Sequence, residues 1–336
     1  MRLTKWIFIL LSCVLIVQCS KPRAWWEESV IGVMADPADW EALGGPLKQV
    51  YEKVVRTPQI EKMYSLRLVE DEDFMQYTKF RYLILAATLE SKGRVRTIID
   101  NILRDPKIKE GVENGDHFIF IQKNQWAKNQ LMAVLVSKDI PMLIRKIQSN
   151  RDFLYGIFES DFQDRLGKDM FQRRENKEEQ ERLLATFGWT IRLQKDYFLA
   201  QEIAKDGFLW YRRMYPERWI FVRWINEGDS TLLNAHWVLG ERNRIGSEYY
   251  GGDQISSQYL FSRTGTFHGR PAQITTGLWV NDDKDVGGPF KNYTFYDELS
   301  ERVYMVDIAV YAPGKDKLPY LRRLDMIAGS FKTVFE

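Results

Sequence analysis

Cysteine is almost absent from this sequence, because the 336 residues contain Cys13 and Cys19 and no others. A disulfide, a thiolate metal site or a catalytic thiol is therefore excluded at every position after residue 19. The stability of the folded chain must come from packing, and a composition with 45% hydrophobic residues is sufficient to build a sizeable core.

Histidine is also scarce. His117, His236 and His268 are too far apart in sequence to share a helix face, and the metalloprotease pattern H-E-x-x-H is absent. The sequence also lacks the G-x-S-x-G turn of a serine hydrolase and both glycine-rich patterns that bind phosphate. No cofactor is predicted, and His268, which lies in a turn, has no identifiable carboxylate partner.

The sequence has no excess of charge of either sign, since 48 basic and 46 acidic residues leave a formal net charge of +2. Arg2 and Lys5 account for that difference, so a chain that starts at Cys19 is formally neutral. Nucleic-acid-binding domains carry a basic surplus, usually on one face. The charge balance therefore gives no reason to expect a nucleic acid as a partner.

The N-terminus combines a positive charge with an apolar run. Arg2 and Lys5 precede residues 6–17, a run too short to span a bilayer comfortably but typical of a secretory signal peptide. The run ends Leu15-Ile16-Val17-Gln18-Cys19-Ser20, which resembles the lipobox of bacterial lipoproteins. Gln18 departs from that pattern, which usually has Gly, Ala or Ser before the cysteine.

This resemblance implies that residues 1–18 are a lipoprotein signal peptide, that Cys19 carries the lipid (palmitate), and that residues 19–28 are a tether. The chain would then be exported and held at the periplasmic side of the outer or inner membrane without a spanning helix. Two alternatives stay open. The segment is an uncleaved short anchor, or it is a plain signal peptide in which Cys19 is incidental.

Residues 29–162 predict an N-terminal α/β domain. Apolar runs at 29–34, 82–87 and 131–136 predict strands that alternate with helices, and the second run, apolar on both faces, predicts a central strand. Residues 163–188 predict a polar helix that ends at Gly188. Its charged part favours a solvated link between two domains over a helix that binds a partner.

Residues 189–336 predict a C-terminal domain rich in strands. The runs at 207–213 and 218–225 predict a hairpin whose two faces are both apolar, which favours a covered sheet over a face that stacks sugars or peptides. Ser230 predicts a helix cap, and residues 240–257 predict a loop. A closing helix follows residue 314, with Arg322 off its apolar stripe.

Several short motifs in this half resemble a known family. These are Asp206-Gly207-Phe208-Leu209-Trp210, Gly277-Leu278-Trp279, Gly287-Gly288-Pro289-Phe290, Val310-Tyr311-Ala312-Pro313-Gly314-Lys315 and Tyr320-Leu321-Arg322. In this order they resemble an uncharacterised family of exported, Bacteroidetes-type lipoproteins, domain of unknown function family 4837. The resemblance covers most of the chain after Val30 and is sharpest from Trp189. It implies a lipoprotein of the cell envelope and no particular activity.

The order of elements is also similar to the PsbP-like α/β sandwich, whose members mostly act in binding or assembly. The predicted fold class is therefore α/β (α+β), with two mixed-sheet domains and packed helices, the second domain a PsbP-like sandwich. Function does not follow from a fold alone.

Two glycine-containing loops, 249–252 and 281–290, are the candidate binding site. Glycines allow close backbone approach, and Trp279 and Phe290 are the candidate apolar anchors. The candidate residues are Tyr249, Tyr250, Trp279, Asn281, Asp283, Asp285, Gly287, Gly288 and Phe290. Simple turn geometry is the alternative explanation of both loops.

The acidic turn at 281–285 is also the best candidate for a Ca²⁺ site. However, Val286 stands where an EF-hand loop needs Gly, and the glutamate of the twelfth position is missing. No metal site is therefore predicted.

These observations favour a lipid-anchored envelope protein that acts as a non-catalytic binding or scaffolding module for an envelope protein or a glycan. The alternative is an envelope hydrolase that acts on glycan or peptide, with Asp297, Glu298 and Glu301 as candidate carboxylates.

Overall fold

The computed structural model describes residues 21–25 and 29–336. The predicted signal peptide, Cys19 and much of the predicted tether lie outside the described residues. The chain forms two compact units that are not successive stretches of sequence. The first unit contains the described residues up to Pro37 together with Arg67–Lys138, and the second contains Ala38–Leu66 together with Asp139–Glu336.

Helices occur in both units, and the part of the chain that the structure describes also contains four short 3₁₀ turns. Within the described residues, the helices are α1 Pro37–Tyr51, α2 Phe74–Tyr77, α3 Arg94–Asp100, α4 Pro106–Asn114, α5 Ile140–Ser149, α6 Arg151–Phe171, α7 Lys177–Phe187, α8 Ala235–Tyr249 and α9 Leu318–Ala328.

The strands alternate with helices in the first part of the chain and dominate the second. They are β1 Val30–Met34, β2 Val54–Arg56, β3 Ile60–Lys62, β4 Ser65–Leu68, β5 Tyr82–Thr88, β6 Ile119–Lys123, β7 Leu131–Ser137, β8 Trp189–Thr190, β9 Phe198–Ile203, β10 Phe208–Arg213, β11 Glu217–Asn226, β12 Gln254–Ile255, β13 Phe261–Phe267, β14 Arg270–Asn281, β15 Val286–Asp297, β16 Arg302–Tyr311 and β17 Lys332–Thr333.

The first unit is built on a mixed sheet with the strand order β4-β1-β5-β7-β6. Strands β1, β5 and β7 run parallel, and β6 runs antiparallel to β7. Every residue of β5 is buried, which confirms the predicted central strand. One face of this sheet packs Leu85 and Val134 against Ile99 of α3 and Val112 of α4, so these helices close one side of the core.

The second unit contains an antiparallel sheet with the strand order β12-β14-β15-β16-β11-β10-β9, and β13 pairs with the outer side of β14. The predicted hairpin at 207–225 is confirmed, because Arg213 of β10 pairs with Arg218 of β11. His268 and Gly269 form the turn between β13 and β14. Both have positive φ angles, 51° and 77°, as the mirror-image hairpin turn requires.

Helices cover both faces of this antiparallel sheet. In β15, Asn292 points towards α8, and its neighbour Tyr293 points the other way and donates a hydrogen bond to Asp325 of α9. Trp219 and Phe221 of β11 are buried, as predicted for a covered sheet. The α/β fold class is therefore confirmed, with the second unit a layered arrangement of helix, sheet and helix.

Helix α8 corrects the prediction for residues 230–257. Asn234, not Ser230, caps the helix, since its side chain accepts a hydrogen bond from the Trp237 amide at 2.9 Å. The helix then continues through Gly240, where the sequence predicts a loop. A glycine inside a helix costs about 1 kcal/mol, and burial of the opposite face, which includes Ile245, outweighs that cost.

The segment 163–188, predicted as one polar helix, is divided between the end of α6 and the separate helix α7. Asn176 begins α7 by accepting a hydrogen bond from the Glu179 amide, and Gly188 ends it with a left-handed φ of 76°, as predicted. The polar side chains of α7 are partly tied to the sheet of the second unit. Arg182 forms an ion pair with Glu202 of β9 at 3.0 Å.

A buried polar network joins distant segments within the second unit. Arg322, predicted to lie off the apolar stripe of α9, is only 6% exposed. Its guanidinium donates to the Glu159 carboxylate of α6 at 2.7 Å and lies over the ring of Phe162 at 3.4 Å. The Tyr64 hydroxyl donates to the same carboxylate at 2.9 Å. Residues 38–66, α6 and α9 therefore form one packed body.

The charge of Glu159 depends on this network. Burial by itself raises the pKa of Glu159, but the charge of Arg322 and the hydrogen bonds from Gln163, Tyr64 and Arg322 outweigh burial and hold the pKa below its usual value near 4.5. A carboxylate whose pKa is lower in the folded chain stabilises the fold above the unfolded pKa, and that stabilisation is lost as the pH falls through the folded pKa.

We therefore expect Glu159→Gln to flatten the acid limb of the stability profile. The free energy of unfolding of the wild-type protein should decline below about pH 4.5 more steeply than that of the variant. Urea titrations at a series of pH values measure the slope. Glu181→Gln, on an exposed position of α7, is the control and should keep the wild-type slope. Equal slopes for all three proteins would contradict the prediction.

Candidate functional site

The antiparallel registers bring both predicted loops to the same end of the second sheet. Glu217 at the start of β11 pairs with Tyr311 at the end of β16, and Asn281 at the end of β14 pairs with Val286 at the start of β15. The turns 214–216 and 282–285 therefore lie at one end of the sheet, which we call the loop end. Strand β12, directly after residues 250–253, pairs with β14 at this same end.

Asn281 joins the two predicted loops. It is 2% exposed, and its side-chain amide donates to the Gly251 carbonyl at 2.9 Å and to the Asp253 carboxylate at 2.8 Å. Its side-chain oxygen accepts a hydrogen bond from the Lys284 amide at 3.2 Å. One side chain thus fixes residues 250–253 against the turn that follows β14.

Six exposed residues form the outer surface of this joined pair. We call them the loop surface: Gly251, Gly252, Asp282, Asp283, Lys284 and Asp285. Three aspartates and one lysine give this surface a net negative charge. Among the residues that the structure describes, no group of three or more His, Cys, Asp or Glu side chains is arranged to hold a metal ion.

The predicted aromatic anchors do not lie on the loop surface. Tyr250, Trp279 and Phe290 are buried in the core between α8 and the sheet, and Tyr249 is the last residue of α8, where it stacks on Phe208 at 4.6 Å. Their side chains hold the core together. The loop surface therefore has no exposed aromatic group of its own.

The predicted loop 281–290 is too long, because residues 286–290 belong to β15. A Cβ atom at Gly287 would lie 2.8 Å from the Trp279 carbonyl oxygen, and one at Gly288 would lie 1.9 Å from the Val310 carbonyl oxygen. These glycines allow neighbouring strands to approach each other closely. Only residues 282–285 form the turn.

A buried ion pair lies in the core beneath the loop end. Arg242 of α8 and Asp307 of β16 are both 0% exposed, and the Arg242 Nε donates to both carboxylate oxygens at 3.2 Å. Asn292 donates a further hydrogen bond to Asp307 at 2.9 Å. The rings of Tyr250 and Phe290 flank the guanidinium, each with its centroid 5.4 Å away.

Burial raises the pKa of Asp307 to about 6, and the charge of Arg242 opposes this effect. The carboxylate lies against the buried guanidinium and balances its charge. A charged residue in the middle of the apolar run 303–311 is unusual for a buried strand. Asp307 is not among the predicted site residues, although this pattern could have indicated it, and Arg242 lies in a segment predicted to be a loop.

Several buried donors around this pair have no hydrogen-bond partner among the described residues. They are Nη1 and Nη2 of Arg242, the indole nitrogens of Trp219 and Trp279, and the hydroxyl of Tyr250. Buried polar groups are normally paired, so this number of unpaired donors is unusual for the core between α8 and the sheet.

The candidate carboxylates of a hydrolase lie at the opposite end of the sheet, in and beside the turn between β15 and β16. Asp297 accepts hydrogen bonds from the Nε of Arg270 at 2.8 Å and from the amide and hydroxyl of Ser300. Its two oxygens are thus engaged in holding the turn. Glu298 and Glu301 are exposed. At the same end, burial lowers the pKa of His268.

In the part of the chain that the structure describes, no helix is both long and apolar enough to cross a bilayer.

Two family models match the chain, one on each side of residue 172. Residues 175–330 match the family described as Domain of unknown function (DUF4837), the family that the sequence motifs resemble. Residues 28–171 match a different family, described as Domain of unknown function (DUF8532). A search of curated proteins gives no match.

Three solved structures show distant similarity. A protein from Bacteroides thetaiotaomicron aligns at 5% identity over 44% of this chain and 45% of its own, with a TM-score of 0.28. The Ran-binding protein Mog1p of Saccharomyces cerevisiae aligns at 12% identity over 44% of this chain and 90% of its own (TM-score 0.29). LpqN, involved in cell envelope biogenesis of Mycobacterium tuberculosis, aligns at 13% over 43% and 82% (TM-score 0.30). TM-scores this low do not establish a common fold.

We expect Asn281→Ala to detach residues 250–253 from the turn. The change removes the side-chain partner of the Asp253 carboxylate and of the Gly251 carbonyl, at a cost of about 1–3 kcal/mol in the free energy of unfolding. Hydrogen exchange at residues 250–253 should accelerate. Asp282→Ala, one position along and exposed, should leave both quantities unchanged. Unchanged exchange in Asn281→Ala would show that other contacts hold the loop.

Two glycines of α8 provide a matched pair of substitutions. A Cβ at Gly246 would lie 2.0 Å from the Asp253 carbonyl oxygen, whereas a Cβ at Gly240 would meet nothing within 4 Å. We expect Gly246→Ala to lower the free energy of unfolding by about 1–3 kcal/mol and Gly240→Ala to raise it by up to about 1 kcal/mol. Urea unfolding measures both. Equal effects would contradict the close approach of α8 to residues 250–253.

Proposed function

We propose that this chain is a lipid-anchored protein of the bacterial cell envelope whose second unit acts as a non-catalytic binding or scaffolding module. The observation that carries the proposal is the hydrogen bonding of Asn281, which joins two separate loops into one exposed surface. This surface lies on the end of a sheet whose strands are long and buried, so it is held in one geometry. A preordered surface loses little conformational freedom when a partner binds.

The chemistry of the loop end indicates the kind of partner. The loop surface is acidic, so a complementary partner presents basic or hydrogen-bond-donating groups. The neighbouring turn supplies apolar groups, because Tyr215 is 93% exposed and Met214 is 43% exposed. Exposed aromatic side chains beside polar loops are typical of binding surfaces. Tyr215 and Met214 take the anchoring role that was predicted for Trp279 and Phe290.

The anchoring part of the proposal is supported by the sequence. The apolar run 6–17 and the lipobox-like end at Cys19 favour export and lipidation, which would place the module at a membrane surface. The expected partner is an envelope protein or a glycan. The alternative of a carboxylate hydrolase gains no support from Asp297, since that side chain is engaged with Arg270 and Ser300.

The loop end can be tested by photo-crosslinking in cells. We expect Asp283→p-benzoylphenylalanine and Tyr215→p-benzoylphenylalanine to give discrete crosslinked products on illumination. Leu299 is 66% exposed in the turn at the opposite end of the same sheet, so Leu299→p-benzoylphenylalanine is the matched control and should give none of these products. Products from all three positions, or from Leu299 alone, would contradict a partner at the loop end.

The anchor is tested separately with Cys19→Ala. We expect this variant to lose incorporation of labelled palmitate. If the Asp283 crosslink then also disappears, the partner is reached only at the membrane. If the crosslink persists, the lipid supplies location alone. Undiminished palmitate incorporation in Cys19→Ala would refute lipidation at this residue.

A further inference from the structure

The first unit contains an apolar cavity that the proposed binding module does not use. Its volume is about 260 Å³, and it lies between α2, α3 and the sheet face formed by β5, β6 and β7. Phe74, Ile98, Trp126 and Met132 form its apolar wall, with Phe74 and Trp126 in edge-to-face contact at 5.8 Å. Few polar groups line it, the amide of Gln122 among them. An apolar cavity with a small polar rim is typical of sites for apolar ligands.

The N-terminal segment of the described chain runs directly to the edge of this cavity. Residues 22–24 are held by backbone hydrogen bonds, with the Lys128 amide donating to Pro22 at 2.7 Å and the Ala24 amide donating to Lys128 at 2.8 Å. The ammonium group of Lys21 donates to the carbonyls of Asn124 and Gln125, both at 2.8 Å. Gln125 is exposed and lines the cavity, so Lys21 is fixed at its mouth.

The segment that leads to Cys19 therefore starts at this mouth. Cys19 is two residues from Lys21, and two extended residues span at most about 7 Å. Any lipid on Cys19 is consequently tethered beside an apolar cavity. The cavity has room for roughly nine groups of the size of a water molecule, at about 30 Å³ each, and a methylene group is of similar size.

We propose that part of one acyl chain of the lipid on Cys19 occupies this cavity. The inference rests on the lipidation of Cys19 in the proposed function. The tether makes the local concentration of the chain at the mouth high, because binding is then intramolecular. Each methylene that enters leaves water for an apolar surface. The remaining acyl chains of the same lipid stay available to the bilayer.

This arrangement makes the strength of the anchor adjustable. A single acyl chain gives only marginal and reversible membrane binding, and stable anchoring takes two. A cavity that withdraws one chain competes with the bilayer for it. The first unit thus binds the same lipid that holds the second unit at the membrane.

Neighbouring residues of β6 provide the test. Gln122 lines the cavity, and Ile121 alternates to the other face of the strand and is 42% exposed. The full-length protein is produced in a bacterium that lipidates it, with p-benzoylphenylalanine at residue 122 or at residue 121. Intact mass first establishes that Cys19 carries lipid. After illumination, peptide mass spectrometry identifies what each position has bound.

The expected result is an adduct between residue 122 and an acyl chain attached to the Cys19 peptide, with no such adduct from residue 121. Gln125→p-benzoylphenylalanine, at the exposed mouth, should give the same adduct and covers the case in which the variant at 122 does not fold. An adduct with a free lipid, or lipidated protein without any acyl adduct at 122 and 125, overturns this inference alone. A mass that shows no lipid on Cys19 refutes the proposed anchor, and this inference with it.

Discussion

The ion pair between Arg242 and Asp307 sits where water cannot solvate either charge. An unpaired charge in such a place costs several kcal/mol, so α8 can pack on the sheet only in the register that brings the two side chains together. That register places Gly246 against the Asp253 carbonyl, and Asp253 in turn is held by Asn281. The position of the loop surface is thus a consequence of one buried contact.

The regular elements of this fold could be predicted because their signals are local. Alternation and apolar runs identify the long strands, and Gly188 ends α7 with the left-handed angle that glycine tolerates. Helix α4 was missed although its signals are also local. Asp105 caps it, Pro106 is its first residue, and Gly115 ends it with a φ of 81°. A short helix with only two large apolar side chains, Ile108 and Val112, is easily taken for a connection.

The rest depends on contacts between residues far apart in sequence. Periodicity puts Arg322 on the polar side of α9, and only the tertiary structure supplies Glu159 as its partner. Likewise, sequence predicts glycine-rich loops at the right positions, but the burial of Trp279 is decided by α8, which packs over the strand. The structure thus brings the candidate residues to one end of the sheet. The sequence could not predict which of them lie in the core and which lie on the surface.

The discontinuity of the second unit bears on how this protein is made. The Tyr64 hydroxyl lies 3.5 Å from Arg322, a separation of 258 residues along the chain, and Glu61 accepts hydrogen bonds from the first amides of α9. Segment 38–66 can contact α6 earlier, but Glu61 and Tyr64 stay without these partners until the last helix has been synthesised. The second unit therefore cannot complete its core until almost the whole chain is available.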